Sequence, residues 1–122
     1  MMVGGEKSVM ADNEGFIQMR DEGGGIVVIT PTADVDMSRS PELRTAIQQA
    51  MGRNINKLIV NLDEVGYMDS SGLATLVEAM RTAKASNTQL VLTAMHPKVR
   101  AIFDIARLDS FFTIIDTVEQ AI

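Results

Sequence analysis

The chain of 122 residues contains no cysteine and no tryptophan, and its single histidine is His96. Without cysteine, the chain has no disulfide bonds, thiolate metal sites or cysteine nucleophile. With one histidine, a metal site built on two imidazoles is excluded, and any serine-histidine-aspartate centre depends on His96. We therefore expect no cofactor, no metal, and one domain whose core needs no covalent cross-links.

Cationic residues are also few, because 11 lysines and arginines stand against 16 acidic residues, for a net charge of −5. This balance argues against a basic patch that binds nucleic acid or an anionic membrane. The longest purely aliphatic run, residues 26–29, is far shorter than the roughly 20 residues needed to cross a bilayer. The first residues lack an apolar signal region. We expect a cytoplasmic protein with no membrane span and no direct contact with nucleic acid.

Apolar periodicity divides most of the chain into alternating strands and helices. Residues 1–14 show no period and are predicted to be a loose segment. Two β-rich runs flank the Gly-rich residues 21–25, which predicts a hairpin with a turn of about five residues. Ser40 and Pro41 predict the N-cap and first position of a helix. The remaining predicted elements are strands over 57–62, 89–93 and 111–115, and helices that begin near 69, 97 and 116.

The predicted order is β-β-α-β-α-β-α-β-α, an α/β fold that spans residues 15–122. Strands that alternate with helices favour a mixed, mostly parallel sheet of about five strands, which here starts with an antiparallel hairpin. In such sheets, functional residues tend to lie beyond the carboxyl ends of the strands. The loops at that edge therefore hold the candidate site.

Residues 61–73 join the predicted central strand to the second helix and contain the sequence Asp69-Ser70-Ser71. Aspartate and serine accept hydrogen bonds from the free N–H groups of a helix start, so capping is the simplest interpretation. A hydroxyl at this place also suits phosphorylation. The phosphate would face free N–H groups and the positive end of the helix dipole.

Three neighbours of this sequence favour a functional surface. Gly72 lies in the first helical turn, where glycine costs about 0.5–1 kcal/mol relative to alanine. That cost predicts that another surface approaches the backbone at Gly72. Tyr67 and Met68 precede the cap, and we expect them to expose apolar surface beside the serine hydroxyls.

Catalytic interpretations are weaker. Asp63 at a strand end suits a phosphoacceptor receiver domain, but no lysine follows the last strand and the first two strands form a hairpin. Asp34 and Asp36 have the spacing of an Asp-x-Asp hydrolase, but the chain has no room for a cap or a second acidic cluster. A nucleophilic Ser70 needs a base, and His96 is better explained as a loop or helix-cap residue. We therefore expect no enzyme.

Methionine is abundant, with nine in the chain. Met10, Met19, Met37 and Met51 fall in different predicted elements. Core filling and the loose terminus explain them better than a redox or copper site.

Two stretches resemble the STAS domain (sulfate transporter and anti-sigma antagonist), in particular the stand-alone anti-sigma factor antagonists of bacteria. The stretches are Leu58-Ile59-Val60-Asn61-Leu62 and Tyr67-Met68-Asp69-Ser70-Ser71-Gly72-Leu73. Further matches at the family's spacing are Pro97, Val99, Phe103-Asp104, Leu108, Phe112 and Ile114-Ile115. The resemblance covers about residues 15–122 and implies the STAS-type fold.

The resemblance also implies a binding protein controlled by phosphorylation. The first serine of the signature corresponds to Ser70, and Ser71 is the fallback. The implied kinase is the partner anti-sigma factor, with a histidine-kinase-like ATP-binding fold. The unphosphorylated antagonist binds that kinase and frees the sigma factor, the phosphorylated form lets go, and a metal-dependent serine phosphatase resets it.

The family's Gly-acid-apolar-Asp pattern corresponds to residues 33–36, with Ala33 in the place of glycine. The expected partner-binding residues are Asp36, Tyr67, Met68, Asp69, Ser71 and Gly72. STAS domains also serve as scaffolds of signalling assemblies and as accessory subunits of lipid-transport complexes, so this use of the same fold is the alternative. The intact Asp69-Ser70-Ser71-Gly72 sequence favours the kinase-regulated class.

Overall fold

The computed structural model describes residues 8–9 and 15–122. Its strands are β1 (Ser8–Val9), β2 (Ile17–Gly23), β3 (Ile26–Pro31), β4 (Lys57–Asn61), β5 (Gln89–Thr93) and β6 (Thr113–Ile115). Its helices are α1 (Ser40–Met51), α2 (Ser70–Ala85), α3 (Pro97–Ile105) and α4 (Val118–Ala121). The predicted α/β order is confirmed, with β1 as an added two-residue edge strand. The rest of the segment 1–14, which was expected to be loose, lies outside the described residues.

The described strands form one mixed sheet in the order β1-β2-β3-β4-β5-β6. The pairs β1–β2 and β2–β3 are antiparallel, and the pairs from β3 to β6 are parallel. The predicted antiparallel start and mostly parallel body are therefore confirmed. Because β3, β4 and β5 are parallel, the loops that follow them emerge at one edge of the sheet. These loops lead into α1, α2 and α3.

The hairpin turn is shorter than the five residues predicted. Strand β2 continues through Asp21 to Gly23, and the turn is Gly24-Gly25. The Asp21 Oδ1 accepts a hydrogen bond from the Gly23 N–H at 2.7 Å, where the register shifts between these two residues. This hydrogen bond provides a partner for the Gly23 N–H at the point where the register of the strand pair shifts. Gly24 and Gly25 have φ of 64° and 80°, which favour glycine.

The main core lies between the sheet and helices α1 and α2, and its centre is fully buried. Leu43 of α1, Leu58 of β4 and Leu76 of α2 are each 0% exposed. The opposite face of the sheet is buried by a second cluster in which Val118 and Ala121 of α4 pack. Because β4 is covered on both faces, its sequence is a continuous apolar run, as is typical of a central parallel strand.

Of the four apolar residues at helical spacing in α2, which are Leu73, Leu76, Val77 and Met80, only Leu76 and Met80 are buried. The buried side of α2 consists of Gly72, Thr75, Leu76, Ala79, Met80 and Ala83. Leu73 and Val77 are partly buried at the margin of the core. The small side chains on this side let α1 and the loops approach α2 closely. No helix in the described part of the chain has the length and apolarity of a membrane span.

Candidate functional site

The loops that precede α1 and α2 are joined by backbone hydrogen bonds. The Val35 N–H donates to the Tyr67 carbonyl at 3.0 Å, and the Asp69 N–H donates to the Val35 carbonyl at 3.0 Å. These bonds make Val35 and Met68 an isolated parallel β-bridge. Asp34 adds a side-chain bond, because its Oδ1 accepts from the Gly66 N–H at 3.0 Å. The structure therefore brings together residues 32–39 (the acidic loop) and residues 62–69 (the serine loop).

Asp69 is the N-cap of α2, with an extended backbone at φ −94° and ψ −174°. Its Oδ1 accepts from the Ser71 N–H at 2.9 Å and the Gly72 N–H at 3.2 Å. The same oxygen accepts from the Ser71 hydroxyl at 2.6 Å. The Ser71 hydroxyl is the main cause that lowers the pKa of Asp69, and the N–H groups of Gly72, Ser71 and Met37 also lower it. Asp69 is thus an ionised cap at neutral pH.

Asp36 repeats this arrangement at the start of α1. Its Oδ1 accepts from the Ser38 N–H at 3.0 Å, the Ser38 hydroxyl at 2.7 Å and the Arg39 N–H at 3.1 Å. The Ser38 hydroxyl is the largest of the contributions that lower the pKa of Asp36. The prediction that Ser40 is the N-cap is wrong. Ser40 is buried as the first helical residue, and its N–H donates to the Asp36 carbonyl at 2.8 Å.

The two serines of the signature have different environments. Ser70 is exposed, and its hydroxyl makes no hydrogen bond to any described residue. Ser71 is half-buried, and its hydroxyl is engaged by the Asp69 carboxylate. Ser70 is therefore free to meet another molecule, whereas Ser71 is part of the helix cap. The sequence alone left this choice between the two hydroxyls open.

Gly72 and Met68 have a different role from the one expected of them. A Cβ at Gly72 would lie 2.5 Å from the Met68 Cγ and 2.9 Å from the Val35 Cγ1. Packing inside the chain therefore accounts for the glycine at this position. Met68 is 1% exposed, so the prediction that it presents apolar surface is wrong. Both residues instead hold the serine loop against the acidic loop.

Two exposed apolar side chains lie in these loops. Tyr67 is 52% exposed, as expected, and Met37 is 75% exposed. The prediction that methionines fill the core is confirmed for Met19, which is 2% exposed, and is wrong for Met37. Met51 is partly buried against the core. Met10 lies outside the described residues. The exposure of Met37 could have been predicted from the repeated Asp-x-Ser pattern, in which Met37 follows Asp36 as Ser70 follows Asp69.

The two loops of the site carry more acidic than basic side chains. The two loops carry the carboxylates of Asp34, Asp36, Asp63, Glu64 and Asp69, and one cation, Arg39. In the part of the chain that the structure describes, no three histidine or acidic groups cluster as metal ligands. His96 occupies the N-cap position of α3, and its Nε2 contacts the Asp63 carbonyl oxygen. That contact engages the imidazole away from the serine hydroxyls.

Ser70 lies on an open surface. A cavity of about 510 Å³ lies at the loops after β4, β5 and β6, and another of about 30 Å³ lies between α1 and α2. Neither is lined by Ser70 or by the other predicted site residues.

Comparisons with known proteins agree with this architecture. The family model for the STAS domain matches residues 19–121. The anti-sigma-B factor antagonist of Listeria monocytogenes is 24% identical over 98 residues, which are 80% of this chain and 86% of that protein.

Two solved structures share the fold. An anti-sigma factor antagonist from Mycobacterium paratuberculosis has a TM-score of 0.75 at 19% identity, over 99% of this chain and 95% of that one. The Bacillus cell fate determinant SpoIIAA in its phosphorylated form has a TM-score of 0.68 at 24% identity, over 86% of this chain and 95% of that one. The chain thus belongs to the STAS domain family, and its curated relatives include anti-sigma factor antagonists.

Proposed function

We propose that this chain is an anti-sigma factor antagonist whose docking is controlled by phosphorylation of Ser70. The unphosphorylated form binds an anti-sigma factor serine kinase with a histidine-kinase-like ATP-binding fold, and the bound sigma factor is freed for transcription. Phosphorylation of Ser70 releases the antagonist. A metal-dependent serine phosphatase returns it to the binding form. The chain acts in the cytoplasm as a regulatory binding protein, not as an enzyme.

The single observation that carries this proposal is the environment of Ser70. Its hydroxyl is exposed at the first residue of α2, while the neighbouring Ser71 hydroxyl is bonded to Asp69 at 2.6 Å. A kinase can reach Ser70 without disturbing the helix cap. A phosphate there faces the positive end of the dipole of a 16-residue helix, which tolerates the added charge.

Release follows from local electrostatics. A phosphoserine adds a charge of about −1.5 to −2 to the surface. That surface already carries Asp36 and Asp69 in ionised form. When the same surface is covered by a partner whose cations already face Asp36 and Asp69, the bulk of the phosphate crowds the contact and its charge must lose water, which costs several kcal/mol. No change of fold is needed, because Ser70 contributes no side-chain bond to the cap.

Phosphoryl transfer gives the test. In the transfer, the Ser70 oxygen forms a bond to the γ-phosphorus of ATP, the bond to ADP breaks, and the hydroxyl proton is lost. We would incubate the chain with Mg-ATP and the anti-sigma factor kinase encoded nearest to it, and then map phosphosites by mass spectrometry. Matched variants are Ser70→Ala and Ser71→Ala.

We expect one phosphoryl group on Ser70 in the wild type and in Ser71→Ala, and none in Ser70→Ala. We also expect Ser70→Ala to bind the kinase in the presence of ATP and Ser70→Asp to bind it at least about tenfold more weakly. Equal affinity of the wild type and both Ser70 variants, or a phosphoryl group that stays on Ser71, contradicts the proposal.

The alternative is a scaffold or accessory subunit of a signalling or lipid-transport complex. In that role the chain is held by its surfaces without a charge switch. Its association with the larger complex would then be unchanged by Ser70→Asp, which distinguishes the two functions in one co-purification experiment.

A further inference from the structure

The side chain of Met37 is exposed on the docking surface, by which we mean the acidic loop, the serine loop and Ser70. The phosphorylation switch gives this side chain no role. We propose that Met37 is the apolar anchor of this surface and inserts into an apolar pocket of a protein partner whose pocket rim is cationic. The inference rests on the proposed function, since it places the anchor beside Ser70.

The position of Met37 is equivalent to that of Ser70. Each is the middle residue of an Asp-x-Ser turn whose aspartate Oδ1 accepts from the serine N–H and hydroxyl. The two turns are adjacent because Val35 pairs with Met68. The Asp69 N–H also donates to the Val35 carbonyl at 3.0 Å, which places the turn of Met37 beside the start of α2, where Ser70 lies.

The Met37 turn is fixed in the free protein. The Asp36 carbonyl accepts from the Arg39 N–H at 3.0 Å and the Ser40 N–H at 2.8 Å, in addition to the bonds of its carboxylate. A fixed turn that leaves its middle side chain 75% exposed has already lost the backbone entropy that docking would otherwise remove. Methionine is unbranched and polarizable, and it is enriched in protein interfaces.

Charge defines the partner. Five carboxylates and the guanidinium of Arg39 lie in the loops that precede α1 and α2, and the Asp36 and Asp69 carboxylates belong to the two adjacent turns of Met37 and Ser70. An acidic surface beside an exposed apolar side chain is complementary to an apolar pocket with lysine or arginine at its edge. A second copy of this chain is a poor occupant, because the same carboxylates would face one another across the contact. Tyr67, 52% exposed, extends the apolar centre on the serine loop.

The test compares a polar and an apolar replacement of Met37. Met37→Gln keeps the length of the side chain and adds an amide, and Met37→Leu keeps it apolar. The matched control is Ile105→Gln, because Ile105 is 82% exposed on α3 and outside both loops. The probe is the recombinant kinase from the phosphorylation experiment, without ATP, and the readout is the Kd from titration calorimetry.

We expect Met37→Gln to weaken binding about tenfold to hundredfold, since it removes the burial of one large apolar side chain. We expect Met37→Leu to stay within about threefold of wild type and Ile105→Gln to match it. Thermal unfolding should be the same for all four proteins, because both positions are exposed. Higher salt should weaken binding by the wild type, because it screens the attraction between the acidic loops and the cationic rim of the pocket.

The outcomes separate the two proposals. Equal Kd values for Met37→Gln and the wild type overturn the anchor and leave the phosphorylation switch intact. An equal loss in Ile105→Gln also overturns it, because the effect would then belong to any exposed apolar residue. No binding of the wild type to the kinase overturns the proposed function, and the anchor with it.

Discussion

Replacement of Gly72 by alanine tests whether this glycine serves packing inside the chain or the approach of a partner. In an exposed first turn the change would stabilise the helix by about 0.5–1 kcal/mol. Here the new Cβ would lie 2.5 Å from the Met68 Cγ and 2.9 Å from the Val35 Cγ1. Met68 and Val35 are 1% and 0% exposed, so neither has solvent to move into.

Crowding of this kind in a packed core costs about 1–3 kcal/mol. At the middle of both ranges the crowding outweighs the helix gain, so we expect Gly72→Ala to lower the free energy of unfolding by about 1 kcal/mol. With a urea m-value of about 2 kcal/mol/M, the midpoint of unfolding should fall by roughly 0.5 M. The assay is urea unfolding followed by far-UV circular dichroism.

Gly52→Ala is the matched control. Gly52 has helical φ and ψ of −68° and −9°, and its added Cβ would meet only the Gln48 and Gln49 carbonyls, at 3.4 and 3.6 Å. We expect that variant to be neutral or more stable by about 0.4–1 kcal/mol. Met68→Ala should also reduce the effect of Gly72→Ala, since it removes the atom in closest contact. A Gly72→Ala protein as stable as the wild type, or more stable, refutes the packing argument.

Three further outcomes can be measured in the same unfolding assay. Thr93→Val should raise the free energy of unfolding by about 1–3 kcal/mol, because the buried Thr93 Oγ1 has no hydrogen-bond partner among the described residues. Ser71→Ala should lower the midpoint and Ser70→Ala should not, since the Ser71 hydroxyl alone of the two bonds Asp69. Asp36 and Asp69 have lowered pKa values in the folded state, so their stabilisation is complete above about pH 4 and is lost as the pH falls through the folded pKa. Asp69→Asn should therefore reduce the acid dependence of the midpoint, and an unchanged pH profile contradicts this assignment.

The order of elements could be predicted because the strands and helices carry strong local signals. Strand β4 is a short apolar run, and α2 begins with an aspartate and a serine before a helical stripe. These patterns come from burial on both faces and from capping, which act within a few residues. Local signals also placed the start of α2 near residue 69, and its first residue is Ser70.

The details that the sequence did not predict depend on contacts between distant residues. The residues next to Met68 in the sequence do not indicate that Met68 pairs with Val35 or that it packs against Gly72. The burial of Met68 and the need for glycine at position 72 therefore follow from the fold. The start of α1 was misplaced for a related reason, because the carbonyl of Asp36 accepts from Ser40 N–H across a turn. The exposure of Met37 follows from that same turn.

The choice between Ser70 and Ser71 also required the structure. Both are serines in the first turn of a helix, and capping rules allow either hydroxyl to engage the aspartate. The 2.6 Å contact from Ser71 to Asp69 leaves Ser70 as the available hydroxyl. One hydrogen bond thus separates a structural serine from the proposed switch.

The most direct measurement uses the protein purified from its own cells. Its phosphorylated and unphosphorylated forms would be separated by charge, mapped by mass spectrometry, and titrated with the unmodified kinase. A phosphoryl group on Ser70 and tight binding by the unphosphorylated form alone are the predicted result. A protein that carries no phosphoryl group on Ser70 under any growth condition and still releases the kinase contradicts the account.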